Sequence, residues 1–272
     1  MSERADGDDW RTRGQLFDRG SGDYQAGRPG YPDGVFDLLQ RRCGLGPGSR
    51  VLEIGPGTGQ ATLPILALGA HVTAVESGAA LARRLSQRAG NANLLVVVAR
   101  FEDAAIPQAQ FDLVVSATAF HWVTPAVGLV KSAAALRDDG WLALWWNVFS
   151  DDGRPDPFRQ ALESILERKA PGLVAEGQGQ LAYSLDVAAR IADIERVRLY
   201  GPVHHETLRW EGRHSPLEIR RLFSTFSTWL ALPEGQRSEL LDDVERLARE
   251  EFGGVVTRPY QTVVYLAQRR RR

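Results

Sequence analysis

The sequence is poor in the residues that mark secreted, metal-held or membrane-spanning chains. It has one cysteine, Cys43, so no internal disulfide can form, and no Cys/His cluster has zinc-ligand spacing. No metal is expected, and a reducing, cytoplasmic setting fits best. No apolar run approaches the roughly 20 residues that cross a bilayer. Residues 1–13 are charged and lack the apolar stretch of a secretory leader, so residues 1–14 are expected to form a solvated arm of low order. The net charge of −1 lacks the positive surplus with which nucleic-acid binders neutralise phosphates. Lysine is nearly absent too: Lys131 and Lys169 stand alone among many arginines. The terminal run Arg269 to Arg272 is basic, but a charged chain end is ordinarily solvated.

What is present is enough for a sizeable core. The 272 residues are 43% hydrophobic and 25% charged, close to soluble globular averages. From about residue 33 to 147, short apolar runs alternate with amphipathic stretches, with no internal repeat. Strands are expected at 50–54, 71–76, 94–98, 112–116 and 141–146. Helices are expected from Asp33 to before Gly44, and at 60–68, 78–89 and 125–136. In the last of these, Val127, Val130 and Ala134 share one face. Strands alternating with helices imply a parallel sheet wound by right-handed crossovers, with ligands bound at the carboxyl ends of the strands. After Asn147 the pattern turns helical at 157–169, 215–232 and 234–251. Strand candidates follow at 198–210 and 260–268, placed at the sheet edge, with the inserted helices as a cap.

The strongest local signal is Glu53-Ile54-Gly55-Pro56-Gly57-Thr58-Gly59. It follows a strand and opens a helix, the context in which a glycine turn binds a ligand. Glycine lets the backbone turn sharply and a ligand approach closely. Glu76 lies 21 residues after Gly55, at the end of the next strand, where a carboxylate can accept both hydroxyl protons of a ribose. Together they indicate an adenosine-type ligand. A dinucleotide turn would place its third glycine at position 60, which is Gln60; here it is Gly59. Glu53 would also repel a pyrophosphate, whereas it suits the ammonium and sulfonium of S-adenosylmethionine.

These residues resemble class I S-adenosylmethionine-dependent methyltransferases. The likeness is to the bacterial group of trans-aconitate and ubiquinone/menaquinone methyltransferases, and it covers nearly the whole chain. Residues 24–32 (Tyr-Gln-Ala-Gly-Arg-Pro-Gly-Tyr-Pro) are similar to the group's N-terminal segment and 53–59 to its first motif. Residues 111–122 (Phe-Asp-Leu-Val-Val-Ser-Ala-Thr-Ala-Phe-His-Trp) are similar to its fourth-strand motif, and 258–265 to its closing strand. The resemblance implies a Rossmann-like, doubly wound, mostly parallel α/β sheet of seven strands, with an antiparallel late strand and a helical cap. The methyltransferase domain would span 15–272, with cap elements at about 151–195 and 215–252.

The resemblance also implies roles. Gly55, Gly57 and Gly59, with Pro56 and Thr58, would line the methionine part of S-adenosylmethionine, and Glu53 would lie near its ammonium. Glu76 would hold the ribose and Ser77 would lie beside the adenine. Ser116 and Ala117 would touch the cofactor, with Tyr24 and Arg28 closing over it. Arg100 replaces the aspartate that meets the adenine amino group in many members, and an arginine cannot accept that hydrogen bond. Phe101 and Glu102 become the expected adenine neighbours.

Methyl transfer from a sulfonium is an in-line displacement governed by positioning, and a base is needed only for a protonated nucleophile. His121 is the candidate base; Phe120 and Trp122 are expected to shape the substrate pocket. His204 and His205 fall on a strand and point to opposite faces, so they form no metal site. A small-molecule acceptor, such as a carboxylate or hydroxyl compound, is the expected partner, with neither nucleic acid nor membrane. The competing reading is a cofactor-binding protein that catalyses a non-methylating reaction or serves a partner.

Overall fold

The computed structural model describes residues 27–90, 93–151, 153–173 and 183–271; Tyr24 and the expected N-terminal arm lie outside these. The chain divides into two compact units: Gly30–Gly153 with Leu181–Trp210 and Pro259–Arg272, and Met1–Pro29 with Arg154–Gln180 and Glu211–Arg258.

The first unit is built on the sheet. In chain order come α1 (Asp33–Cys43), β1 (Arg50–Ile54), α2 (Thr62–Ala67), β2 (His71–Glu76), α3 (Ala79–Ala89), β3 (Leu94–Val98) and β4 (Phe111–Ala117). A 3-10 turn at Phe120–Trp122, α4 (Pro125–Ala135) and β5 (Leu136–Val148) follow, and later α6 (Val187–Arg196), β6 (His204–His214) and β7 (Val256–Gln268). The strand order is β3-β2-β1-β4-β5-β7-β6. β1, β2, β3, β4 and β5 pair in parallel, and β7 runs antiparallel to β5. This is the expected seven-stranded, mostly parallel architecture with an antiparallel late strand, its two last strands at one edge. Because β2 and β3 lie on one side of β1 and β4 on the other, the order of winding reverses at β1, and the crevice at the carboxyl ends of β1 and β4 is the topological switch point.

Both faces of the sheet are covered, which is why its strands read as near-continuous apolar runs. Val51, Leu113, Val115, Ala143, Trp145, Val264 and Leu266 face Val35, Leu38, Leu39, Ile65 and Leu85 of α1, α2 and α3. The alternate residues Leu52, Val114, Leu142, Leu144, Trp146, Val263 and Tyr265 face Leu129 and Ala133 of α4 and Ile194 of α6. The stripe of Val127 and Val130 on α4 points outward, the two residues being 45% and 49% exposed, while Gly128, Leu129, Ser132 and Ala133 are buried. Gly128 sets the packed face. A Cβ there would fall 2.6 Å from Val123 Cγ1 and 3.0 Å from Phe120 Cζ, so the side lacking a side chain is the one that packs closely.

The expected strand at 198–210 begins later, at His204, and is preceded by α6, which the sequence reading left undivided within the cap. On β6, His204 approaches Glu206 (3.4 Å) and His205 approaches Thr207 (3.5 Å), so the two imidazoles take opposite faces as expected.

The second unit is helical: α5 (Pro157–Lys169), α7 (Pro216–Ser224), α8 (Ser227–Leu230) and α9 (Glu234–Glu250), with α9 packed on α5 and α7. The single helix expected at 215–232 is split into α7 and α8. Ser215 and Glu218 cap α7 reciprocally, with Pro216 at its first turn, a strong start signal. Phe158, Phe223, Trp229 and Phe252 form its aromatic centre. The buried Arg258 guanidinium pairs with Asp156 at 2.8 Å, and Asp156 also caps α5 through the Arg159 amide.

Candidate functional site

The site is assembled at the carboxyl ends of β1, β2 and β4. Gly55, Gly57 and Gly59 all hold positive φ, at 66°, 59° and 96°, which side-chain-bearing residues resist. Close packing requires glycine as well. A Cβ on Gly55 would fall 2.6 Å from Ala119 Cβ, and one on Gly59 would fall 2.7 Å from Leu85 Cδ1. The Gly55 amide donates to Val75 O (2.9 Å) and the Gly59 amide to Pro56 O (3.0 Å), tying the turn to β2 and to itself. Thr58 and Pro56 are buried, and the Thr58 hydroxyl donates to Gln60 Oε1 (3.0 Å).

Glu76 is the keystone of this arrangement. It is 6% exposed and spans the turn: the Gly57 amide donates to its Oε2 (2.9 Å) and the Gly78 amide to its Oε1 (2.8 Å). Each carboxylate oxygen can accept a second hydrogen bond, so a pair of ligand hydroxyls can add to the two amides. Ser77 follows at the exposed strand end.

Glu53 differs in kind. It lies on the α2 side of β1, wholly buried; the Thr62 hydroxyl donates to its Oε2 at 2.6 Å, while its Oε1 has no hydrogen-bond partner among the described residues. Burial pushes its carboxyl up to about 7, opposed by the Thr62 hydrogen bond and reinforced by the charge of Glu76. An unsatisfied buried carboxylate oxygen is costly, and a cation beside it offsets that cost. The chemistry of the donor set therefore fits S-adenosylmethionine: an unpaired buried anion for an ammonium, amides and a carboxylate for a ribose, and glycines where a Cβ would fill the space.

The remaining expected residues are distributed as follows. The Ser116 hydroxyl donates to Ile54 O (3.0 Å), locking β4 to β1, and is buried; Ala117 ends the same strand. Phe101 is buried at 4% exposure, with the Lys131 ammonium 5.4 Å from its ring centre. Lys131 also donates to Glu102 O and Ala104 O. The Glu102 carboxylate accepts from the Thr124 amide (3.2 Å) and pairs with Arg100 at 3.5 Å, so Arg100 serves as a local counter-ion. Arg28 belongs to the helical unit, where its guanidinium donates to Thr225 Oγ1 (2.9 Å) and Thr225 O (3.2 Å).

His121 lies in the 3-10 turn after β4. The Trp146 indole N–H donates to its Nδ1 at 3.1 Å, and its ring lies 4.8 Å from that of the exposed Trp122. An imidazole accepting at Nδ1 carries its proton on Nε2 when neutral. In this geometry His121 is a hydrogen-bond donor through Nε2, and action as a base requires release of the indole. Phe120 is core, 2% exposed; it also lines a cleft with Leu144, Trp146, Tyr183, Arg190 and Tyr265. Among the described residues, no group of His, Cys, Asp and Glu could hold a metal ion, and no helix is long and apolar enough to cross a membrane. Sequence reasoning missed Tyr31 and Thr118, which are joined by a hydroxyl–hydroxyl bond of 3.0 Å at the end of β4. Both fall inside the quoted segments 24–32 and 111–122, but the resemblance implies a role for neither, and the positive φ of Thr118 has no sequence signal.

Comparison with known proteins bears on the same segment. Residues 52–144 match the family model described as a methyltransferase domain. An uncharacterized methyltransferase of Mycobacterium tuberculosis is 33% identical over 132 residues, 48% of this chain and 52% of that protein; the chain thus spans about half the length of this relative. An uncharacterized methyltransferase of Schizosaccharomyces pombe is 25% identical over 94% of this chain and 98% of its own. Among solved structures, Haemonchus contortus phosphoethanolamine N-methyltransferase 2, in complex with phosphomonomethylethanolamine and S-adenosylhomocysteine, has a TM-score of 0.59 at 14% identity. That match covers 100% of this chain and 62% of the other. The YcgJ protein of Bacillus subtilis has a TM-score of 0.54 at 15% identity, covering 89% of this chain and 100% of its own. At such identities the structural likeness speaks for the fold.

Proposed function

We infer that this chain is an S-adenosylmethionine-dependent methyltransferase acting on a small-molecule acceptor, from the similarity of residues 52–144 to a methyltransferase domain and the site built into that segment. The observation that carries the reading is the pairing of a glycine turn bridged by Glu76 with a buried, half-unpaired Glu53 at the switch point. A dinucleotide site has no use for that second carboxylate. The specific likeness to trans-aconitate and ubiquinone/menaquinone methyltransferases belongs to this proposal and rests on the quoted motifs.

When bound, the cofactor supplies an electrophilic methyl group on a sulfonium. Glu53 Oε1 would pair with its ammonium, Glu76 would hold the ribose hydroxyls, and Phe101 would lie against the adenine. Gly55, Pro56, Gly57, Thr58 and Gly59 leave room for the methionine chain, with Ser116 and Ala117 at its edge. His121 presents its Nε2–H to an oxygen of the acceptor, a hydroxyl or carboxylate, and Trp122 screens that position. Since the Nδ1 lone pair is held by Trp146, the acceptor enters as a nucleophile that needs no base, or His121 takes a proton only after the indole moves away.

The reading is tested by following S-adenosylhomocysteine release across a panel of carboxylate and hydroxyl acceptors. Release dependent on one acceptor class is the expected result. Tight cofactor binding with no release across the panel would instead favour a non-methylating reaction or a partner-serving role. With an active acceptor in hand, His121→Ala is expected to raise KM about tenfold, the scale of one hydrogen bond, with no change in the acid limb of the kcat profile. An acid limb present in the parent and absent in the variant would restore His121 as the base.

A further inference from the structure

Thr118 sits where β4 gives way to the 3-10 turn, and its backbone is left-handed, with φ 54°. A β-branched residue rarely occupies that region, because its Cβ crowds the following carbonyl, so surrounding contacts must hold it there. Three do. The Thr118 amide donates to Trp145 O at 2.7 Å. The Thr118 hydroxyl oxygen accepts from Tyr31 Oη (3.0 Å) and from the Asn147 amide (3.2 Å).

The support extends further through side chains. The Asn147 amide group donates to Gly30 O (3.0 Å) and accepts from the Thr262 hydroxyl (2.7 Å), which accepts from the Trp210 indole (3.0 Å). The Tyr31 ring meets Trp145 edge-on at 5.7 Å.

What this rail holds in place is Ala119. Its methyl occupies the space that a Gly55 side chain would take, 2.6 Å from the position of that Cβ, and Gly55 is itself left-handed. The two turns that end β1 and β4 therefore interlock through one methyl group.

We propose that Tyr31 and Thr118 are positioning residues for the cofactor turn, the Tyr31 hydroxyl holding Thr118 left-handed so that Ala119 braces Gly55 and, through it, the Gly57 amide facing Glu76. This rests on the reading of Gly55 to Gly59 as the cofactor turn. The hydroxyl acts at a distance: it fixes a backbone, and the backbone fixes the site.

The test is a calorimetric titration of S-adenosylhomocysteine into the full chain, with folding followed by circular dichroism. Tyr31→Phe keeps the ring against Trp145 and removes only the hydroxyl; the dissociation constant is expected to rise about tenfold, the scale of one lost hydrogen bond. Thr118→Ala, which loses that bond and the one from the Asn147 amide, is expected to weaken binding at least as much, and it serves in place of Tyr31→Phe should that variant misfold. Thr118→Ser retains the hydroxyl and is expected to stay near the parent value. The decisive readout is the double variant. Glycine adopts positive φ at little steric cost, so in a Thr118→Gly background the added Tyr31→Phe change is expected to do almost nothing. Thr118→Gly also removes the hydroxyl that Tyr31 bonds, so effects that multiply would mean that Tyr31 acts through contacts other than Thr118, and that result, or an unchanged dissociation constant in Tyr31→Phe, overturns the proposal. If the parent protein fails to bind S-adenosylhomocysteine, the cofactor reading itself falls and the latch with it.

Discussion

Glu76→Ala is expected to raise the dissociation constant for S-adenosylhomocysteine roughly 10- to 150-fold, which corresponds to about 1.5–3 kcal/mol of lost charged hydrogen bonds. Two losses combine. The ribose hydroxyls lose a carboxylate, and the amides of Gly57 and Gly78 lose the acceptor that joins them across the turn. Glu76→Gln separates the two contributions: its single carbonyl oxygen can keep one amide, but its NH2 group faces the other as a second donor. It should therefore bind more tightly than the alanine variant and more weakly than the parent. Calorimetry on folded protein checks this. Affinity unchanged in Glu76→Ala removes the ribose assignment.

The second large effect is on pH. Burial pushes the Glu53 carboxyl up to about 7 from an ordinary 4.5. In the unfolded chain Glu53 loses its proton at the lower value, so the folded state binds the proton more tightly. Glu53 therefore costs the unliganded protein nothing below about pH 4.5, lowers stability progressively as pH rises toward 7, and imposes a constant cost above that. The cofactor's ammonium reverses the sign for binding, because it pairs with the ionised form. Affinity for S-adenosylhomocysteine is accordingly expected to rise about tenfold between pH 6 and pH 8. Glu53→Gln should flatten that dependence, weaken binding at pH 8, and stabilise the unliganded protein there by roughly 1–3 kcal/mol. A pH profile that is the same in parent and variant would show that Glu53 does not face the ammonium.

The parts of this molecule that could be read from its sequence are those where local signals and the tertiary fold agree. β1 and β2 end where expected because apolar β-branched runs stop at a glycine turn and at Glu76. The switch point follows from the alternation of strands with helices. On α4 the face shared by Val127 and Val130 is the outer one, and the packed face was set by the missing side chain of Gly128. The start of β6 was misplaced because Leu199, Tyr200 and Val203 read as strand across Gly201-Pro202, a pair that breaks one; the chain there is irregular, with a left-handed Arg198 and an isolated bridge from Tyr200 to Arg269. The site was legible as a set of residue types. Its connections were not: the Trp146–His121 bond and the Tyr31–Thr118 bond join residues 25 and 87 positions apart, and no spacing rule reaches across such distances. The indole bond to His121 matters most, since it occupies the Nδ1 that a base would use.

The account stands on the identity of the ligand that the Gly55 to Gly59 turn receives. Parallel calorimetric titrations of the full chain with S-adenosylhomocysteine and with NADH test this most directly. Saturable binding of S-adenosylhomocysteine at micromolar concentration, with no heat from NADH, is the predicted result. Binding of NADH alone would contradict the account and make the turn a dinucleotide site.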